Sequence, residues 1–227
     1  MFRDGGTFRK VTADAAREAA TLTWLREEGL PAAEVLDVGP DWLLTREIIG
    51  RTGADPWPPH QQLRVVDAIA EVTGRLHALP VGRCPFDRTL AQTVPQARAA
   101  AEAGLVDLDD LDVQRRGSSV GDLLEELARL LPDMQAREIP VVTHGDWCLP
   151  NVLLDPDSIE VVGLVDSARA GRADRYADLA LMSRSLSSGE LNPQFGSSAA
   201  DHFLTRCLHD PADNDKIEFY RLLDEFF

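Results

Sequence analysis

The densest chemistry in this 227-residue chain lies in one octapeptide, His144-Gly145-Asp146-Trp147-Cys148-Leu149-Pro150-Asn151. It opens on a polar turn after an apolar run and sets an aspartate five residues before an asparagine. A second aspartate, Asp166, closes the next candidate hairpin. Two carboxylates and an amide are hard oxygen donors suited to magnesium. One of the carboxylates could instead orient or deprotonate an attacking hydroxyl. Phosphoryl transfer from a nucleotide requires this set: a group facing the acceptor, and ligands holding a metal against the phosphates. Upstream, Lys10 and Glu18 add a pair of opposite charge. A strand lysine can meet nucleotide phosphates while a helix glutamate holds its ammonium. The lesser alternative is a plain strand-to-helix ion pair at the surface. An Asp-x4-Asn match is weak alone, and the downstream aspartate and upstream pair are what make it specific.

The elements that must position these groups follow from periodicity and turn residues. Alternation in residues 7–11 predicts a strand carrying Lys10. Thr12 is the expected N-cap of a helix running to about residue 28, stopped by Gly29 and Pro31. On it Ala15, Glu18, Leu22 and Leu25 share one face. A carboxylate on an apolar stripe needs a cation, which singles out Glu18. Two apolar runs, 33–38 and 42–49, flank Gly39-Pro40-Asp41 and predict a hairpin. Residues 50–59, rich in Gly and Pro, read as a lobe boundary. A helix is expected over 60–79, with Leu63, Val66, Ala70, Thr73 and Leu76 on one face, and another over 121–131 ahead of Pro132. Strands are expected at 139–143, 152–154 and 159–165, and helices from about residue 177 to a final amphipathic one at 216–224.

Acidic residues outnumber basic ones, 38 to 23, for a formal charge of −15. This argues against nucleic acid and anionic membranes as partners and is compatible with a polycationic small molecule, or simply with solubility. The cysteines Cys84, Cys148 and Cys207 are widely spaced, with no CxxC, so a disulfide framework or zinc ribbon is not expected and a reducing cytoplasm fits. No run resembles a signal peptide or membrane span.

Protein kinases use an Asp–Asn pair at the spacing found here, with a metal-binding Asp after a hairpin. The octapeptide, followed by the run from Val165-Asp166-Ser167-Ala168-Arg169 to Arg175-Tyr176-Ala177-Asp178, closely resembles aminoglycoside phosphotransferases. The terminal Phe219-Tyr220-Arg221-Leu222-Leu223-Asp224-Glu225-Phe226-Phe227 is similar to the 3′ branch of that family. Leu76-His77-Ala78-Leu79-Pro80, Cys84-Pro85 and Gly104-Leu105-Val106-Asp107-Leu108-Asp109-Asp110-Leu111 extend the likeness over essentially the whole chain. The resemblance implies an α+β, two-lobed kinase-like fold, with a truncated, β-rich front lobe (1–49) and a mainly helical remainder (50–227). It implies transfer of the γ-phosphoryl group of ATP, with Mg2+, to an aminoglycoside hydroxyl, by a cytoplasmic monomer or weak dimer. Carried over by position, Asp146 matches the catalytic base, and Asn151 and Asp166 the magnesium ligands. Lys10 and Glu18 match the phosphate-binding pair, and Thr45, Glu47 and Ile48 fall in the linker that meets adenine. Asp110, Asp112, Arg169, Glu225 and Phe227 match the acceptor side, the last through its terminal carboxylate.

The chain departs from the pattern at its front, where Met1-Phe2-Arg3 matches the family's second strand and Asp4-Gly5-Gly6-Thr7 the turn into the lysine strand. The first strand and the phosphate-covering loop have no counterpart. Either the true start lies upstream or the chain is shortened, with impaired nucleotide closure. Competing readings are a kinase for another small hydroxylated molecule and a catalytically silent kinase-like binding protein. A metallohydrolase built on His144, Asp146 and Asp166 lacks a second histidine at ligand spacing. His144 is expected to brace the turn and His77 to pack or cap a helix. Trp147 and Cys148 are expected to pack, Arg175 and Asp178 to form an ion pair, with Asp174 in a similar role. Trp24, Trp42 and Trp57 should lie in the core or lobe seam.

Overall fold

In the computed structural model, which describes residues 2–227, β1 (Phe2–Asp4) and β2 (Thr7–Val11) form a hairpin about Gly5-Gly6, with Asp4 opposite Thr7. The other edge of β2 pairs with β4 (Trp42–Arg46), and β3 (Val35–Val38) closes the sheet in the order β1-β2-β4-β3, all antiparallel. Along β2, Lys10 is half-buried between the exposed Arg9 and Val11, as strand alternation requires. α1 (Ala15–Glu27) buries the expected stripe of Ala15, Glu18, Leu22 and Leu25. Its N-cap is Asp14 rather than Thr12. The Thr12 hydroxyl accepts the Asp14 N–H at 3.2 Å, so threonine shapes the turn before the helix instead of capping it.

The rest of the chain is mainly helical. α2 (Pro59–His77) buries Val66, Ala70, Thr73 and Leu76 as expected, but Leu63 is exposed; Val65, Ile69 and Val72 complete the buried face, rotating it away from Leu63. α3 (Leu90–Glu102) is an element the sequence pattern does not announce, and α4 (Val120–Ala136) continues past Pro132. Each contains a proline. The carbonyls left unpaired, on Ala91 and Ala128, belong to exposed residues, so water can satisfy them and the helices survive. β6 (Pro140–Thr143), β7 (Val152–Leu154) and β8 (Val161–Leu164) occupy the expected strand segments. β6 pairs with β9 (Gly171–Asp174), a strand absent from the sequence reading, and β7 takes up β5 (Arg51–Thr52) from inside the Gly/Pro-rich stretch. α5 (Tyr176–Ser187) packs between α6 (Ser197–Cys207) and α7 (Asn214–Asp224).

One stitch joins the front sheet to this body. The Leu164 N–H donates to the Pro31 carbonyl at 2.9 Å, and the Ala33 N–H to the Leu164 carbonyl at 3.0 Å. The end of β8 is thereby fixed against the segment between α1 and β3, which brings Asp166 beside Lys10. Trp147 and Trp57 are buried, the former donating to Thr73 Oγ1 at 2.9 Å. Trp24 meets Phe86 edge-on, whereas Trp42 carries the Arg9 guanidinium over its ring at 4.7 Å on the outer face of the sheet. Among the described residues, no helix is long and apolar enough to cross a membrane.

Candidate active site

The turn after β6 is held by a buried carboxylate on α5. Asp178 accepts the His144 N–H at 3.0 and 3.1 Å, the Gly145 N–H at 2.9 Å and His77 Nε2–H at 3.0 Å, with none of its side chain exposed. This replaces the expected Arg175–Asp178 ion pair: Asp178 is spent on the turn itself. Asp174 pairs with Lys216 and accepts the Ile139 and Tyr176 N–H groups. His144 is buried and donates through Nε2 to the Val165 carbonyl at 2.9 Å, tying the turn to the residue before Asp166. That is the bracing role read from sequence.

On this frame Asp146 is 36% exposed. Asn151 Nδ2 donates to its backbone carbonyl at 2.8 Å and to its carboxylate at 2.9 Å, and Arg169 Nη2 lies 3.0 Å from its other oxygen. Burial pushes the Asp146 carboxyl up, but the Arg169 guanidinium and the hydrogen bonds to it outweigh burial and hold it below the ordinary carboxylate value. Asp166 sits at φ +58°, a left-handed conformation that aspartate tolerates better than most residues, and its carboxylate is also 36% exposed. Lys10 Nζ bridges it, at 2.6 Å, to Glu18 at 2.9 Å. Glu18 is almost wholly buried; burial pushes its carboxyl up against the lowering effect of Lys10, while its own pairings raise Lys10 despite burial. The cation demanded by the stripe of α1 is therefore Lys10.

The model of the phosphotransferase enzyme family matches residues 6–211. An aminoglycoside 3′-phosphotransferase of Streptomyces fradiae is 45% identical over 218 residues, 94% of this chain and 80% of that protein. The crystal structure of an aminoglycoside-3′-phosphotransferase of type VIII superposes with a TM-score of 0.91 at 46% identity, covering 97% of this chain and 85% of that one. A Streptomyces rimosus aminoglycoside phosphotransferase, solved in complex with ADP and streptomycin, gives 0.83 at 33% identity, covering 98% and 87%. The chain belongs to the aminoglycoside phosphotransferase family. Its fold is accordingly the two-lobed, kinase-like α+β fold.

Within this family member, Arg169 is a bridge that sequence reasoning reveals only in part. Its Nη1 donates to Asp224 at 2.9 Å while Nη2 holds Asp146, and Arg184 binds the other oxygen of Asp224. Asp224, at the end of α7, is the residue that sequence reasoning misses. Its one available signal is adjacency to Glu225. Glu225 is committed within the protein: only 4% exposed, it accepts the Asp112 N–H with both oxygens at 3.3 Å. Asp110 is exposed on its loop and Asp112 half-buried. The Phe227 ring lies under Arg88 at 5.5 Å and Arg169 at 5.8 Å, and with Asp224 and Gly145 it lines a cavity beside the turn.

The linker residues behave differently from one another. Thr45 lies in β4, with a strand on either side and a buried side chain, so its backbone belongs to the sheet and not to a ligand. The Glu47 N–H donates to the Gly6 carbonyl at 2.9 Å, and Ile48 packs against Gly163.

Proposed function

We propose that this chain transfers the γ-phosphoryl group of ATP, with Mg2+, to a hydroxyl of an aminoglycoside, and to the 3′-hydroxyl where the acceptor has one. The observation that carries the reading is a pair of side-chain clusters, Lys10 on Asp166 and Asn151 on Asp146 with Arg169 reaching the end of α7, tied together through the main chain where the Val165 N–H donates to the Asn151 carbonyl at 3.2 Å. Nucleotide-side, metal-type and acceptor-side groups thus meet along one seam. The names of the relatives supply the acceptor class, and the ADP bound in the Streptomyces rimosus relative supports nucleotide use.

The residues fit a magnesium ion. Asn151 spends its NH2 on Asp146, which leaves its amide oxygen for a hard cation, and Asp166 offers an exposed carboxylate. Phosphate oxygens and water would complete the coordination of such an ion. When bound, magnesium neutralises charge on the nucleotide phosphates. Lys10, held by Glu18, binds phosphate oxygens. Asp146, kept ionised by Arg169, accepts a hydrogen bond from the acceptor hydroxyl, aims its oxygen at phosphorus and takes its proton. Most of the rate enhancement then comes from orientation and charge stabilisation. Residues 1–49 form the nucleotide lobe in this reading and 50–227 the remainder, with the main chain near Ile48 against the base. Asp110, Asp112 and Asp224 make the acidic wall facing the acceptor's ammonium groups, with Glu225 holding the Asp112 segment from behind and the Phe227 ring at the edge. A cytoplasmic site of action fits Cys84, Cys148 and Cys207, all free thiols.

The test is a coupled ADP-release assay with kanamycin and with streptomycin, followed by 31P NMR of the product. Phosphate on the 3′-oxygen of kanamycin supports the reading. Turnover with streptomycin alone would move the target hydroxyl, and turnover with neither would remove the acceptor class.

A pH dependence follows from Arg169. Replacing it by Gln removes the cation that lowers Asp146, so Asp146 should hold its proton to higher pH and the acid limb of kcat/KM should move upward. In the wild type the same pair stabilises the fold above the ordinary carboxylate range, and that contribution fades as pH falls through the lowered Asp146 value. An acid limb that stays in place in Arg169→Gln counts against the coupling.

A further inference from the structure

We infer that Arg115 is the positioning residue that sets the acidic 103–119 loop against the end of α7 for the cationic acceptor, an inference that rests on the acceptor class proposed above. The loop is exposed at Asp107, Asp109 and Asp110, but Leu111 and Arg115 turn inward, and the Arg115 side chain is only 7% exposed. A guanidinium buried this deeply ordinarily forms short, two-pronged hydrogen bonds to a carboxylate. Here its pairing is loose. Nη2 donates to the Glu218 carbonyl at 3.1 Å, the Glu218 carboxylate lies 3.7 Å away, and Nη1 stands 4.0 Å from Glu225. Among the described residues Nε and Nη1 find no hydrogen-bond partner.

The same Glu225 carboxylate accepts the Asp112 N–H, and the Arg115 N–H donates back to the Asp112 carbonyl at 2.7 Å. Loop and helix are therefore joined at two points, the Arg115 bond to the Glu218 carbonyl and the Glu225 carboxylate, with Arg115 the loop's own cation beside that carboxylate. Burial pushes the Glu225 carboxyl up, while the Asp112 N–H, Arg184 and Arg115 oppose that push. The separation of 4.0 Å is about 1 Å longer than a charge-assisted N–H···O contact. A small movement of the loop toward α7 would complete it. An acceptor whose ammonium groups lie between Asp110 and Asp112 on one side and Asp224 on the other draws those walls in the same direction. Loop closure and acceptor binding should thus be coupled through Arg115, which touches neither the phosphates nor Asp146.

The experiment compares wild type, Arg115→Gln and Arg115→Lys by steady-state kinetics, varying kanamycin at saturating ATP and ATP at saturating kanamycin. Arg115→Gln should raise the kanamycin KM about tenfold, at the low end for a coupled charge pair because this one stands 4.0 Å apart, with kcat and the ATP KM within about twofold. Arg115→Lys, which keeps the charge, should recover most of the loss. Equal rises in both KM values, or an unchanged kanamycin KM, would overturn the inference. Hydrogen exchange on the ligand-free protein adds a readout independent of turnover: the Asp112 amide should exchange faster in Arg115→Gln while β6 amides stay protected. Unchanged Asp112 protection also overturns it. If wild type phosphorylates no aminoglycoside, the acceptor reading fails, and the exchange result still decides whether Arg115 fastens the loop.

Discussion

Asp146→Asn is expected to lower kcat for phosphoryl transfer roughly a thousandfold, within the range of about 10²–10⁴ that a positioned general base contributes. The substitution keeps the shape of the side chain and removes only its charge and basicity. Because the carboxylate is one-third exposed, its turn is fixed by Asp178 through the backbone of His144 and Gly145, and Arg169 keeps Asp224 as its second partner, the fold loses only the Asp146–Arg169 pairing. The melting temperature and ATP affinity should therefore stay near those of wild type while turnover collapses. Single-turnover measurements separate the chemical step from product release. If Asp146→Asn kept a near-native rate in that phase, Asp146 could not be the group that receives the acceptor proton. A residual rate is expected, because the orientation and charge neutralisation supplied through Lys10, Asn151 and Asp166 survive the change.

The pieces of this site that can be read along the chain are those whose chemistry is out of place locally. Glu18 interrupts an apolar stripe, so a cation had to exist, and the structure supplies Lys10 at 2.9 Å. The polar turn at 144–146 follows a strand, and Asp166 ends a hairpin, each a position where a side chain leaves regular structure. The frame behind them is invisible locally because its contacts are long-range. Asp178 serves a turn more than thirty residues earlier, and Asp224 meets Arg169 across 55 residues. Nothing in the periodicity around Asp224 separates it from Glu225, and only α7 packing on α5 turns one toward Arg169 and the other toward Asp112. The fold shows the same division. β2, β4, α1 and α2 follow from alternation and helical stripes. α3 and the last turn of α4 are hidden by Pro95 and Pro132, whose cost falls on the carbonyls of the exposed Ala91 and Ala128. β9 exists through its pairing with β6, not through its own sequence, Gly171-Arg172-Ala173-Asp174.

Gly145→Ala should be nearly as damaging as the loss of Asp146, although glycine offers no functional group. Gly145 sits at φ +80°, where an L-residue costs roughly 1–2 kcal/mol. A methyl group there would also stand 2.2 Å from the Arg169 carbonyl oxygen and 2.8 Å from its carbonyl carbon. Those are backbone atoms, which cannot swing aside as a flexible side-chain tip could. Two strands converge on this point, since β6 leads into Gly145 and the segment through Arg169 leads into β9. Relief must therefore come from moving one of them, and either movement separates Arg169 from Asp146, now 3.0 Å apart. The expected outcome is a fall in kcat of at least about a hundredfold, the scale on which ångström-sized misplacement of catalytic groups acts. A lowered melting temperature should accompany it. Because the defect is geometric, kcat should fall much more than ATP affinity, since the Lys10–Glu18 pair proposed for the phosphates lies on β2 and α1, away from this turn. If Gly145→Ala turned over at the wild-type rate, the close approach of the turn to Arg169 could not be what holds Asp146 in place.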